Sequence, residues 1–310
     1  MILTITLNTS IDKAYRLDGL LVRGSVMRVA SCSDSAGGKG LNVSRSIKTC
    51  GEEVLATGFV GGNNGQLLCE LLDSDGIPHE FVVVENETRC CINVLEPDGC
   101  STEFLEAGRE IHEDSLAQLE ARVSALLPLV DVVTISGSIP PGLPATSYVR
   151  LISLAHAEGK PCILDTSGTA LMDSLEALPT VIKPNADEIS QILGKTTGTY
   201  DELLQAAREL HTTGIAQVVI SLGGKGALMA CDEGIFHGTA PNIDVVNPVG
   251  AGDTMVGALA VGISRKLSAP EQLRFAMACA TANCLSAYTG RFEKEVANRL
   301  LEQTTVEQVF

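Results

Sequence analysis

The feature that most constrains this chain is a repeated alternation of short apolar runs with longer runs of helical spacing. Residues 2–7, 54–60, 80–84, 131–136, 161–165, 180–183 and 217–222 read as strands. Between them, residues 64–74, 113–127, 146–158, 169–177 and 201–213 carry apolar residues at three- and four-residue spacing. Strands separated by helices cannot pair through tight hairpins. They pair in parallel, with each helix serving as a crossover. The expected fold class is therefore α/β: a mostly parallel central sheet with helices on both faces, in one domain spanning residues 1–310. Nearly continuous apolar strands need cover on both sides, and a chain that is 45% hydrophobic can provide it.

Two stretches break the alternation. Residues 12–35 and 86–106 are strand-rich and contain no helix pattern; the second reads as a hairpin around Pro97-Asp98-Gly99. Both follow early strands. They are expected to combine into one small β-sheet lid over the carboxyl ends of the main strands, the edge where open α/β sheets bind ligands.

The formal net charge of -16 argues against nucleic acid or an anionic membrane as partner. No apolar run approaches a membrane span. Residues 1–8 alternate like a strand and lack the plan of a signal peptide. The ten cysteines are scattered without a CxxC, and the five histidines lie far apart. A reduced, cytoplasmic protein without a structural zinc site is expected.

The chemistry concentrates in Asn247-Pro248-Val249-Gly250-Ala251-Gly252-Asp253-Thr254, ahead of the small, apolar helical run 255–263. With almost no side chains in the way, the backbone N–H groups of Gly250, Ala251 and Gly252 can converge at a helix N-terminus, where orphan donors and the helix dipole favour an anion. Asp253 sits beside that anion. An acid is well placed there to take a proton from a hydroxyl while the backbone stabilises a transferring phosphoryl group. A Gly-rich turn with Asp as an ordinary helix-start residue would look the same in isolation.

Other loops point the same way. Ala36-Gly37-Gly38-Lys39-Gly40 opens a helix that carries Asn42, and Asn185 and Glu188 lie three apart at the start of another. Familiar alternatives fail. Gly194-Lys195-Thr196 ends like a Walker A loop, but its required earlier glycine is Ile189. In a dinucleotide fingerprint the third glycine would be Met255, and neither an HRD–DFG pair nor a GxSxG nucleophile turn occurs. Gly-rich loops after strands, a carboxylate at an anion hole and a second acid–amide pair fit phosphoryl transfer with Mg²⁺.

Gly37-Gly38-Lys39-Gly40-Leu41-Asn42-Val43, Ser136-Gly137-Ser138-Ile139-Pro140, Lys183-Pro184-Asn185 with Glu188, Ser221-Leu222-Gly223 and Val249-Gly250-Ala251-Gly252-Asp253 together resemble the PfkB (ribokinase-like) sugar kinases, in family order over nearly the whole chain. Within that family the chain is most similar to the tagatose-6-phosphate kinase and 1-phosphofructokinase branch. Residues 1–8, 87–92 and 245–250 lean toward the tagatose-6-phosphate side.

The resemblance implies ATP, Mg²⁺ and a phosphorylated ketohexose converted to the 1,6-bisphosphate, with the lid often forming a dimer clasp. It implies Asp253 as catalytic base with Gly250, Ala251 and Gly252 as anion hole. Asp12, Gly38 and Asn42 would hold sugar hydroxyls. Lys39 and Arg89 would hold the sugar phosphate, with Arg28 and Ser138. Lys183, Asn185, Ser221, Gly223 and Gly226 would line the nucleotide side, Asn283 would lie near the adenine, and Glu188 with Asn185 would serve Mg²⁺. Met27 stands before Arg28 where relatives often have Asn. 1-Phosphofructokinase activity and a non-catalytic sugar-phosphate sensor remain alternatives. An intact Asp253 with its glycines argues against the sensor.

Overall fold

The computed structural model describes residues 1–195 and 197–310; Thr196, which closes the Gly194-Lys195-Thr196 tripeptide, lies outside the described residues. The first half of the chain runs β1 (Ile2–Thr6), β2 (Ser10–Arg16), β3 (Ser31–Gly37), α1 (Lys39–Thr49), β4 (Val54–Gly61), α2 (Gly62–Ser74), β5 (Val82–Val84), β6 (Arg89–Leu95), β7 (Ser101–Leu105), α3 (Glu113–Leu126), β8 (Val132–Ser136) and α4 (Ser147–Ala157). The second half runs β9 (Cys162–Asp165), α5 (Gly168–Ser174), β10 (Val181–Ile182), α6 (Ala186–Leu193), α7 (Tyr200–Thr212), β11 (Gln217–Ser221), β12 (Ala227–Cys231), β13 (Gly234–Thr239), α8 (Ala251–Ser264), α9 (Ala269–Cys284), α10 (Lys294–Gln303) and β14 (Thr305–Gln308).

The central sheet has ten strands in the order β14-β13-β12-β11-β10-β9-β8-β1-β4-β5. From β5 to β11 every pairing is parallel, and β11 to β14 form an antiparallel edge. The strand period of two divides the core cleanly. Ile2 and Val219 join one apolar cluster with α1, α2, α8, α9 and α10, while Leu3, Ile5, Val218 and Ile220 join another with α3 to α7. Helices thus cover both faces, as the alternation requires. β14 was not expected: Thr-Val-Glu-Gln is short and polar, and its pairing partner Phe236–Thr239 lies far away in the chain.

The chain leaves β1 toward β4 and β5 on one side, then returns to β8 on the other. That reversal opens a crevice between the carboxyl ends of β1 and β8. The two strand-rich stretches meet above it as a separate four-stranded sheet, β3-β2-β6-β7, whose central pair is parallel. Its first strand starts at Ser10, two residues before the expected boundary.

Candidate active site

The crevice and the small sheet enclose a cleft of about 740 Å³, within the size range of small-ligand sites. Six of the expected residues line it together with Gly250 and Asp253: Asp12, Gly38, Lys39, Asn42, Arg89 and Ser138. They arrive from a lid strand, the α1 start, the β6 start, the loop after β8 and the α8 start.

Asp253 stands at the floor, in the first turn of α8, and is buried. Burial and the neighbouring Asp165 carboxylate push its pKa up to about 6; Lys39, the Asn42 hydrogen bond and Lys183 pull the other way. Gly250 begins α8 in the left-handed conformation, φ 81°, which glycine adopts without strain. A Cβ there would meet Thr289 at 2.6 Å. Among the described residues the N–H groups of Gly250, Gly252 and Asp253 carry no backbone bond, but Ala251 N–H turns back to Pro248 O at 3.3 Å. The anion hole is therefore narrower than the sequence suggests, and Ala251 contributes to its turn. Lys183 complements it: a Cβ on Gly252 would lie 3.4 Å from the lysine Nζ.

Asp165, at the end of β9, has no counterpart in the sequence reading. It is buried between Lys183 Nζ at 3.3 Å and Lys39 Nζ at 3.5 Å. Burial raises its pKa, yet the two ammonium groups outweigh burial and hold it below the usual carboxylate value. The only signal was an Asp closing an apolar strand at the ligand-binding edge.

This pairing sets Lys39 on the side of the cleft that holds Asp253. Asp165, opposed by burial, and then Asp253 and Glu188 raise the pKa of its ammonium. The other end is built around Asn8. Its carbonyl accepts Arg89 Nη2 at 3.1 Å and its amide donates to Ser138 Oγ at 2.9 Å. Arg89 Nη1 also donates to Glu106 O, while its buried Nε has no partner among the described residues. Arg89 is thus a fixed cation, not a solvated strand charge.

Asp12 receives Ser10 Oγ at 2.6 Å. Burial raises its pKa against the pull of Ser10, Arg45, Arg89 and the Gly38 N–H. Gly37 lets the carboxylate sit where it does, since a Cβ there would fall 2.1 Å from the carboxyl carbon and push the Asp12 side chain aside. Asn42 has a different first duty from reading sugar. Its Nδ2 donates to Asp253 Oδ2 at 2.8 Å and its Oδ1 accepts Arg45 Nη1 at 2.8 Å. One N–H and one lone pair remain for a sugar hydroxyl.

Three further expectations change. Arg28 is exposed in the loop between β2 and β3 and does not line the cleft; Arg45 and Arg291 do. Asn283 is fully buried. Its Nδ2 donates to Val249 O at 2.9 Å and its Oδ1 accepts Gly290 N–H at 2.9 Å. It therefore clasps the loop after α9 to the anion-hole loop and presents no exposed atom to a ligand. Asn185 is not inside a helix but caps α6, exchanging two 2.8 Å bonds with Glu188 in a capping box. Of the residues expected on the nucleotide side, Ser221 bridges Asn185, and Gly223 faces open space. Gly226 is required by packing, because a Cβ would strike Gly238 O at 2.0 Å.

A buried, raised carboxylate at a helix N-terminus, with two lysines around it, is the geometry of phosphoryl transfer to a hydroxyl. The pfkB family carbohydrate kinase model matches residues 5–295. The chain belongs to the PfkB family of carbohydrate kinases. PfkB kinases are phosphotransferases acting on an alcohol group, and this chain is one of them. It is similar to phosphofructokinase-2 from Escherichia coli, solved in complex with potassium, at 31% identity and a TM-score of 0.92 over 97% of this chain and 98% of that one. A possible 1-phosphofructokinase from Thermotoga maritima is 28% identical, with a TM-score of 0.90 over 100% of both chains. Arabidopsis thaliana ribokinase, at 22% identity and a TM-score of 0.77 over 97% and 98%, shares the ribokinase-like PfkB fold.

Proposed function

We propose that this PfkB kinase uses ATP and a divalent cation to phosphorylate the free terminal hydroxyl of a ketohexose monophosphate, giving the 1,6-bisphosphate. The observation that carries this reading is the division of the cleft: a buried base with its lysines at one end, and Arg89 held beside Ser138 at the other. A substrate bearing a phosphate at one end and a free CH₂OH at the other matches both. Asp253, with a pKa of about 6, is ionised at pH 7 and still basic enough to accept a hydroxyl proton. The N–H groups at the α8 start, with Lys183 and Lys39, stabilise charge on the transferring group. Asp12 and the free valences of Asn42 read the ring hydroxyls.

Lys183, Asn185, Ser221 and Gly223 are proposed for the nucleotide side. The fit for Mg²⁺ rests on Glu188, whose Oε2 closes the capping box while Oε1 has no partner among the described residues. One carboxylate with retained waters and substrate phosphates suits that ion. When bound, the ion would neutralise phosphate charge. The ten cysteines are all free thiols, which supports a cytoplasmic enzyme. The lid exposes Val26, Phe104 and Leu105, supporting a homodimer formed through it. One structure of the Escherichia coli enzyme is of its tetrameric inhibited form.

Tagatose-6-phosphate is the first candidate on the resemblance of residues 1–8, 87–92 and 245–250. Fructose-1-phosphate is the second, given the similarity to a possible 1-phosphofructokinase. The test is ADP release with tagatose-6-phosphate, fructose-1-phosphate, fructose-6-phosphate and ribose, by wild type and Arg89→Ala. Turnover is expected with the ketohexose phosphates, tagatose-6-phosphate leading. Arg89→Ala should raise their KM about tenfold or more, the loss of a charge-assisted contact, with the KM for ATP unchanged. Binding without turnover would mean a sensor, and an Arg89→Ala effect confined to ATP would refute the division of the cleft.

A further inference from the structure

The side chains behind Asn42 form a chain that leads away from the reacting atoms. Arg45 follows Asn42 by one turn of α1 and is 4% exposed. Its Nη1 donates to Asn42 Oδ1 at 2.8 Å, its Nε to Asp75 Oδ2 at 3.0 Å, and its Nη2 to Ala36 O. Asp75 caps the end of α2 and also receives Arg291 Nη2. Three of the five guanidinium N–H groups are thus directed, and the one on Nη1 holds the asparagine that touches the base.

An asparagine amide can present either its oxygen or its NH₂ to a neighbour. Arginine has no acceptor, so the atom facing Arg45 must be the amide oxygen. The NH₂ is then obliged to face Asp253 Oδ2, at 2.8 Å. We infer that Arg45, anchored by Asp75, is a positioning residue that locks the Asn42 amide so that it donates to the catalytic carboxylate. The lock has two effects. It keeps a donor on Asp253, which favours the ionised base. It also occupies Oδ2, so that Oδ1 is left for the substrate hydroxyl. This inference rests on the kinase reading and extends it to a residue that does not touch the reacting atoms.

The charged groups around the two ends are few. Asp253 is faced by Asp165 from β9, Lys39 from α1 and Lys183 after β10. Arg45 is faced by Asp75 from α2, Arg291 from the loop after α9 and Asp12 from the lid. Changing Arg45 or Asp75 leaves the first set in place, and the two changes remove charges of opposite sign, so an upward move of the Asp253 titration shared by both would come through Asn42.

The experiment compares wild type, Arg45→Gln and Asp75→Asn by the pH dependence of kcat/KM and by ¹³C NMR titration of the Asp253 carboxyl, assigned with Asp253→Asn. In Arg45→Gln the acid limb and the carboxyl titration should both move up by about one pH unit, the worth of one hydrogen bond to a charged group. Its kcat should fall about tenfold to a hundredfold from misorientation. Asp75→Asn should show the same direction with a smaller size, and it keeps the test open if Arg45→Gln does not fold. A lowered melting temperature with the acid limb and titration unmoved would make Arg45 a plain staple between α1 and α2. A raised sugar KM with both unmoved would make it a substrate contact. Either overturns the inference. The NMR titration needs no turnover, so wild type inert toward every sugar would refute the kinase reading while the titration still decides the lock.

Discussion

The two sheets of this protein share a backbone geometry and meet opposite surroundings. β1 is buried at all five positions, whereas β7 exposes four of its five. The central sheet is closed on both faces by helices; the lid sheet turns one face to the cleft and the other outward. Burial makes the large sheet the store of stability and the source of fixed positions, such as Asp165 and the α8 start. The lid strands bury fewer of their positions, yet the lid carries Asp12 and Arg89. The difference follows from where the apolar residues fall in the sequence.

The sharpest way to break that contrast is to remove the fixed base. Asp253→Asn should lower kcat by about 10²–10⁴-fold, the range for a lost general base, with the KM for ATP nearly unchanged. It should also stabilise the fold. The folded pKa of Asp253, about 6, lies above its unfolded value of 3.8. The stability linked to this group is fully present below 3.8 and is lost as pH rises through about 6. Asparagine escapes that loss. Thermal unfolding should show a gain of up to about 3 kcal/mol at pH 8, vanishing near pH 4. A destabilised variant at pH 8 would contradict the burial account.

A paired substitution measures the contrast in stability. Ile5→Ala, in the buried strand, should cost about 2–5 kcal/mol and leave the sugar KM alone among molecules that fold. Leu105→Ala, 67% exposed on the lid of a single chain, should change the stability of the monomer, measured at a protein concentration below that of lid dimerisation, by no more than about 0.5 kcal/mol. Equal costs from denaturant unfolding would erase the difference between the sheets. A smaller effect concerns motion. Hydrogen exchange in residues 12–35 and 86–106 should slow together when sugar phosphate and a non-hydrolysable ATP analogue bind, while β1 stays unchanged. Protection of one segment alone would mean that the lid does not close as a unit.

Much of the floor was legible in the sequence because its signals are local. Asp253 announces itself through the glycines just before it, and the strands through their apolar runs. What was hidden depends on distant partners. Asp165 gains its meaning from Lys39, 126 residues away, and Asn42 from Asp253, 211 residues away. The resemblance gives Lys39 to the sugar phosphate, and the glycine loop before it gives no direction to a long side chain. The resemblance puts Asn283 near the adenine, and polarity on a helix says nothing about its burial. Asn185 and Glu188 carry a local signal with two readings, since Asn followed three residues later by Glu is also a helix cap.

The central claim is that a buried carboxylate, tuned to about 6, takes the substrate proton. The pH profile of kcat/KM with a ketohexose phosphate tests it most directly. In wild type the logarithm should climb with unit slope below pH 6, bend near that value and level above it, while Asp253→Asn loses the bend along with its activity. A wild-type profile that is flat from pH 4.5 to 8, or a bend that survives in Asp253→Asn, would contradict it.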